Sequence, residues 1–274
     1  IIKFTLRFTK YKDFLDKPFE DLKKSLTQLY NQRQFEEIIK ISNHFLSKNP
    51  TDTFFLELLV ESYTNLSNFL ESVEVYQKLI HLHPNNAKFY NNLALCYNEI
   101  NQSNKAIDNF KISIRINPKH HKAYYNLALV QMKEQLFQDA IKNYNKSIIL
   151  APTFADAYNN LGLCYNKIKK YKKAEYNFKK AIKNNPLNGN FYLNLYQIYH
   201  LLNKPKLAIR CCKKLIEVKP EFAEAYNNLG VTYLREKKII DALKSFKKAT
   251  SLKPDYIEAI NNLGFTYQED TDFE

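Results

Sequence analysis

Residues 155–188 read ADAYNNLGLCYNKIKKYKKAEYNFKKAIKNNPLN. Tyr158, Leu161, Gly162 and Tyr165 stand three and four apart, a spacing that lays one apolar stripe along a helix. Ala174, Phe178 and Ala181 make a second stripe of the same kind, and Pro186 stops it because proline cannot continue a helix. The pattern returns 34 residues later at Tyr192, Leu195, Tyr199, Ala208 and Pro220. It returns again at Tyr226, Leu229, Gly230, Tyr233, Ala242, Phe246, Ala249 and Pro254. Toward the N-terminus it recurs at Tyr124, Leu127, Ala128, Ala140, Tyr144 and Pro152, and at Tyr90, Leu93, Ala94, Tyr97, Ala106, Phe110 and Pro118. A fixed period of this length predicts an array of helix pairs, each too small to bury its apolar face without neighbours.

In type and spacing these residues resemble the tetratricopeptide repeat family, from Phe19 to the end of the chain. The resemblance implies an all-α fold, a right-handed superhelical solenoid of helix-turn-helix repeats whose first helices line a concave groove. The expected repeats are 19–52, 53–86, 87–120, 121–154, 155–188, 189–222 and 223–256, with a partial one over 257–274. The first two are loose: Ser25, Leu26 and Ile38, then Val60 and Ser72, replace the usual core and small residues. End repeats diverge where one face has no neighbour. Alanine or glycine at the eighth position (Ala94, Ala128, Gly162, Gly230, Gly264) is expected to face alanine at the twentieth, where a bulky residue costs about 1–3 kcal/mol. The unit 189–222 departs, with Tyr196, Cys212 and Leu215 at core positions and Pro205 in a first helical turn, and is expected to repack locally or else to tilt its neighbours differently. Residues 1–18 lie outside the pattern. Ile2, Phe4, Leu6 and Phe8 alternate with polar residues, so this segment reads as strand-like or disordered.

Composition excludes several classes. Four glycines leave no GxxxxGK or GxGxxG phosphate loop, and no apolar run approaches the ~20 residues of a membrane span. Cys96 and Cys164 stand two repeats apart, beyond the ~7 Å reach of a disulfide, and Cys211 and Cys212 are adjacent. Buried, reduced thiols in a cytoplasmic protein are therefore expected. No nucleophile, base and orienter stand at motif spacing, so no catalytic set, cofactor or metal is expected. His81, His83, His120 and His121 gather in two connections without the carboxylate or cysteine pattern of a metal site. The chain starts at Ile1 rather than Met and breaks off half a repeat in, as a piece of a longer protein would.

The sharpest candidate site is an asparagine at the sixth position of six units: Asn92, Asn126, Asn160, Asn194, Asn228 and Asn262. The resemblance implies that this position faces the groove. A primary amide offers two donors and an acceptor, which suits a peptide backbone. Asn91, Asn159, Asn227 and Asn261 widen the polar track. Lys88 and Lys122 make the early groove basic, while Asp156, Glu224 and Glu258 make the later groove acidic, so a bound peptide would have a preferred direction. Asparagine at the sixth position is also usual in ordinary repeats of the family, and the ladder reads either as a site or as consensus.

The expected function is a protein-interaction scaffold that binds a protein or peptide segment. The ladder is also similar to the repeat arm of O-linked N-acetylglucosamine transferases, which holds extended protein substrates. The alternative is therefore the substrate-selecting arm of a larger enzyme. A chaperone-tail clamp fits at Lys122 but meets Asn126 where arginine is needed. The net charge is +13. Lys179, Lys180, Lys213, Lys214, Lys247 and Lys248 recur at the repeat spacing on second helices, as a ridge for an acidic partner or as a solvated face. No exposed aromatic side chains are expected to interleave with this ridge, which weighs against nucleic acid. Partner and oligomeric state stay open.

Overall fold

The array closes through its connections. In the computed structural model, which describes residues 18–271, fifteen α-helices follow one another with short turns and no strand among the described residues. They are α1 (Phe19–Asn31), α2 (Phe35–Lys48), α3 (Thr53–Asn65), α4 (Phe69–Leu82), α5 (Ala87–Glu99), α6 (Ser103–Ile116), α7 (His121–Lys133) and α8 (Phe137–Leu150). The remainder are α9 (Ala155–Lys167), α10 (Tyr171–Asn184), α11 (Gly189–Leu201), α12 (Pro205–Val218), α13 (Ala223–Arg235), α14 (Ile239–Leu252) and α15 (Ile257–Thr271). The strand-like reading of residues 1–18 falls, but for Pro18, outside the described residues. The chain is an all-α solenoid of helix-turn-helix repeats.

The first helices α1, α3, α5, α7, α9, α11 and α13 all end in the same way. Lys169 takes φ 58°. Its N–H reaches Asn166 O at 2.9 Å and the next N–H, of Lys170, reaches Tyr165 O at 2.8 Å. These are the two bonds of a Schellman stop, which use carbonyls the helix end would otherwise orphan. Arg33, Ser67, Asn101, Gln135, Asn203 and Lys237 take the same left-handed conformation. First helices start on side-chain caps where the residue allows: Asp52 accepts from the N–H groups of Phe54 and Phe55, Asn86 from Lys88 and Asn188 from Asn190. Pro205 sits in the first turn of α12, where its missing N–H costs nothing.

Two compact units divide the chain, Ile1–Val130 and Gln131–Glu274. In the first, Leu22, Leu26, Ile38 and Ile41 form one buried cluster, and Leu79, Phe89, Ala106 and Phe110 belong to another. In the second, the core runs through Phe178, Ile198, Cys212 and Leu215. The close approach of paired helices differs from the expected alanine contact. A Cβ on Gly162 would lie 2.7 Å from a Phe178 ring carbon, and one on Gly230 would lie 2.6 Å from the Phe246 ring. The eighth-position glycine is thus a seat for the aromatic ring of the second helix, with Ala174 and Ala242 fully buried nearby in α10 and α14. In residues 189–222 Tyr196 fills that seat itself, buried, and its hydroxyl donates to Asn228 O of α13 at 3.2 Å. The unit is repacked around a large residue and small sulfur side chains.

Candidate peptide-binding face

All six sixth-position asparagines are half-buried, each on a first helix. The structure commits most of their amides to other amides. Asn126 donates to Asn91 Oδ1 at 3.3 Å, Asn194 to Asn159 Oδ1 at 2.8 Å, and Asn262 to Asn227 Oδ1 at 3.0 Å. Each bond joins the sixth position of one repeat to the fifth position of the repeat before. Asn91 and Asn159 also donate to their own neighbours Asn92 and Asn160, at 3.1 Å in both cases. Fully buried Asn227 donates to Glu258 Oε1 at 3.2 Å and to the Tyr256 hydroxyl at 3.5 Å.

The bridges fall at every second interface, because asparagine holds the fifth position only at 91, 159, 227 and 261. The fifth position before Asn228 is Leu193, which offers no acceptor. Among the described residues the Asn228 side-chain amide makes no hydrogen bond. Burying an unpaired amide is costly, so this group keeps contact with solvent. Sequence reasoning located the ladder and missed the bridges. Their signal was the 68-residue recurrence of the fifth-position asparagines, twice the repeat length.

Beside the ladder lie half-exposed Leu163 and Val231 and exposed Leu95 and Phe265, all at the ninth position. Lys88, Lys122 and Asp156 are exposed at the second position, Glu224 is half-buried, and Glu258 is drawn to Asn227.

On the second helices, Lys179, Lys213, Lys214, Lys247 and Lys248 are exposed and Lys180 is half-buried. The ridge is partly neutralised: Lys179 bonds Glu175 at 2.6 Å and Lys214 bonds Glu217 at 2.5 Å. Contrary to expectation, two exposed aromatic rings, Tyr176 and Tyr267, accompany it, beside buried Tyr199. Lys180 lies 5.5 Å from the ring of exposed Tyr176, Lys179 5.8 Å from Tyr199, and Lys247 5.2 Å from Tyr267. Tyr176 and Lys180 are four apart on one helix and therefore meet, whereas Tyr199 and Tyr267 arrive from the next first helix.

All four cysteines are buried and free. Burial pushes the Cys164 and Cys211 thiols up to about 12 and Cys212 higher still, so they stay neutral at ordinary pH and are poor nucleophiles. His83 bonds the Thr53 hydroxyl at 2.9 Å, and burial together with the charges of His121 and Lys122 holds the His120 pKa down. Among the described residues no group of three or more His, Cys, Asp or Glu is placed to hold a metal, and no helix is long and apolar enough to cross a membrane.

Models of the tetratricopeptide repeat match residues 75–108, 121–154, 155–188, 190–222 and 223–256, more than half of the chain. One model takes 155–188 and 223–256 while another takes 121–154 and 190–222, the same alternation the amide bridges follow. Among solved structures, the C-terminal part of a TPR repeat-containing protein from Cytophaga hutchinsonii superposes with a TM-score of 0.74 at 19% identity, over 88% of this chain and 98% of that one. YrrB, described as a TPR protein with an unusual peptide-binding site, gives 0.59 at 21% identity over 69% of this chain and 97% of its own. MamA of Desulfovibrio magneticus RS-1 gives 0.57 at 21% identity over 63% and 97%. Identities this low carry the fold alone. A comparison with curated proteins found no match.

Proposed function

Because the chain belongs to the tetratricopeptide repeat family, we propose that it is a protein-interaction scaffold whose first helices capture an extended segment of a partner protein. The observation that carries this reading is the state of the ladder in the C-terminal unit, on α9, α11, α13 and α15. The bridges fix the Asn194 and Asn262 amides in place while leaving each an acceptor oxygen and one N–H, and the whole Asn228 amide is uncommitted. Donors and acceptors held in position before binding lose little entropy when a ligand arrives. Packed helices lie about 8–10 Å apart and an extended peptide rises ~3.3 Å per residue, so such amides meet about every third residue of a bound strand. An amide reads the peptide backbone rather than its side chains. Selectivity then falls to the ninth-position apolar residues, Leu163, Val231 and Phe265, and to the second-position charges. In the N-terminal unit Asn92 and Asn126 play the same part beside Lys88 and Lys122.

The test is capture from native lysate with identification of the bound proteins, followed by the same capture with Asn228→Ala. Its side-chain amide bonds nothing among the described residues, so melting should be unchanged while yield falls about tenfold, roughly 1.4 kcal/mol. Unchanged yield of the same partners would sink the groove reading.

A further inference from the structure

The second-helix face of the C-terminal unit holds a feature that the ladder does not use. Helices α10 and α12 both pack on α11, and between them a cavity of about 340 Å³ stays open. Ile182, Tyr192 and Leu207 give it an apolar floor, and Lys179, Arg210 and Lys214 stand on its rim. An equivalent groove of about 480 Å³ lies one repeat earlier, between α8 and α10 over α9, where Ile148 and Tyr158 take the places of Ile182 and Tyr192. Its rim carries Lys172, Lys173 and exposed Tyr176.

Charge around the first groove is one-sided. Helix α10 carries five lysines against the single Glu175, and α12 carries Lys206, Arg210, Lys213 and Lys214 against Glu217. Both carboxylates are already engaged: Glu175 by Lys179 at 2.6 Å and Lys204 at 3.2 Å, Glu217 by Lys214. Among the described residues Lys180, Arg210 and Lys213 have no acidic partner. A concave apolar floor bordered by unpaired Arg210, on helices whose lysines outnumber their carboxylates, asks for a ligand with apolar anchors along one side and carboxylates beside them.

We infer that the groove between α10 and α12, floored in part by Tyr192 of α11, is a second binding site whose lining includes no asparagine of the ladder, for an acidic amphipathic helix of a partner protein. Such a helix places leucine-sized anchors three and four residues apart, about 5–6 Å from one another, and lays them along an apolar groove. One glutamate then reaches Arg210 as a two-point carboxylate contact, and its neighbours lie beside the lysine-rich faces of α10 and α12. The cavity is at the lower end of the range for specific pockets, ~300–1,000 Å³, and takes one or two anchors. A nucleic-acid strand would use the cations and stack bases on Tyr176 of the neighbouring groove, but it carries no aliphatic anchors for a floor of Ile182 and Leu207.

The probe is a labelled peptide of about five helical turns, built from glutamate, alanine and leucine with all leucines on one face. Binding to the full chain is followed by fluorescence anisotropy. Controls are a peptide of the same composition with leucines scattered round the helix, its lysine-for-glutamate counterpart, and an oligothymidylate of similar length. The one-faced acidic peptide should bind, weaken as salt is raised, and lose at least about tenfold in affinity with Arg210→Glu or with Leu207→Asn. Both side chains are exposed at their tips, and melting curves check that the variants stay folded. Lys48→Glu with Lys119→Glu, exposed in the N-terminal unit, changes net charge without touching the groove and should leave affinity within about twofold. The inference is overturned if the peptide does not bind. Equal binding of the scattered peptide, tighter binding of the oligonucleotide, or wild-type affinity in the Arg210→Glu and Leu207→Asn variants overturns it as well.

Discussion

Seven residues hold the turns of this solenoid in the left-handed region, at φ between 51° and 61°, and none of them is glycine. Asn101 and Asn203 are of the residue type that visits that conformation at least cost after glycine. Arg33, Lys169 and Lys237 have no such relief, and a side chain with a Cβ costs about 1–2 kcal/mol there. Glycine removes that cost and adds roughly 0.5–1 kcal/mol of unfolded-state entropy. The strain outweighs the entropy, so Lys169→Gly and Lys237→Gly should each stabilise by about 0.5 kcal/mol, with Asn203→Gly close to neutral. Urea titrations of the three variants decide it, and equal destabilisation by all three would mean the turns are unstrained. These positions were legible only as turns, because no glycine marks them in the sequence.

At the scale of the element, one residue type serves opposite ends depending on what lies over it. Gly162 in α9 lies under the fully buried Phe178 ring, which has no room to retreat. Gly162→Val should therefore destabilise by about 2–3 kcal/mol through overpacking and a poor helix propensity. Gly264 in α15 meets nothing within 4 Å, since no described second helix packs on it. Gly264→Ala should stabilise by about 1 kcal/mol from helix propensity alone. Thermal melts read both signs, and a stabilising Gly162→Val would show that the ring seat is loose. The spacing of these glycines was readable from the chain. The partner of the seat was not: the twentieth-position alanine is closer to expectation in sequence, but the ring arrives there through its length and direction off α10.

For the molecule as a whole, a solenoid is about as stable as its nearest-neighbour contacts, summed. One such contact is ionic. Glu175 of α10 receives Lys179 of its own helix, Lys204 from the turn after α11, and the Tyr199 hydroxyl at 3.4 Å. Burial raises the pKa of this carboxyl, but the two ammonium groups bonded to it outweigh burial and hold it below its ordinary 4.5. A depressed carboxyl stabilises the fold above its unfolded pKa, and the contribution is lost as pH falls through the folded value. Glu175→Gln should cost about 1 kcal/mol near pH 7, with the gap from wild type closing as pH drops below about 4.5. Denaturant titrations at both ends of that range check it, and a gap that does not change with pH would mean that the ion pair adds nothing to stability.

Period, helix pairing and the line of sixth-position asparagines were determined by the sequence alone, because a 34-residue repeat puts each residue type at one place on a helix pair and periodicity needs no knowledge of neighbours. Which amides are spent on one another was decided only in three dimensions. Asn194 and Asn262 meet Asn159 and Asn227 across packed helices, while the fifth position before Asn228 is Leu193, which offers no acceptor. The groove between α10 and α12 was decided there too, since it belongs to side chains up to 35 residues apart, from Lys179 to Lys214, that become neighbours only when three helices stack. Local pattern dictates elements; the availability of a polar group or an apolar hollow depends on what the packed neighbour brings to it.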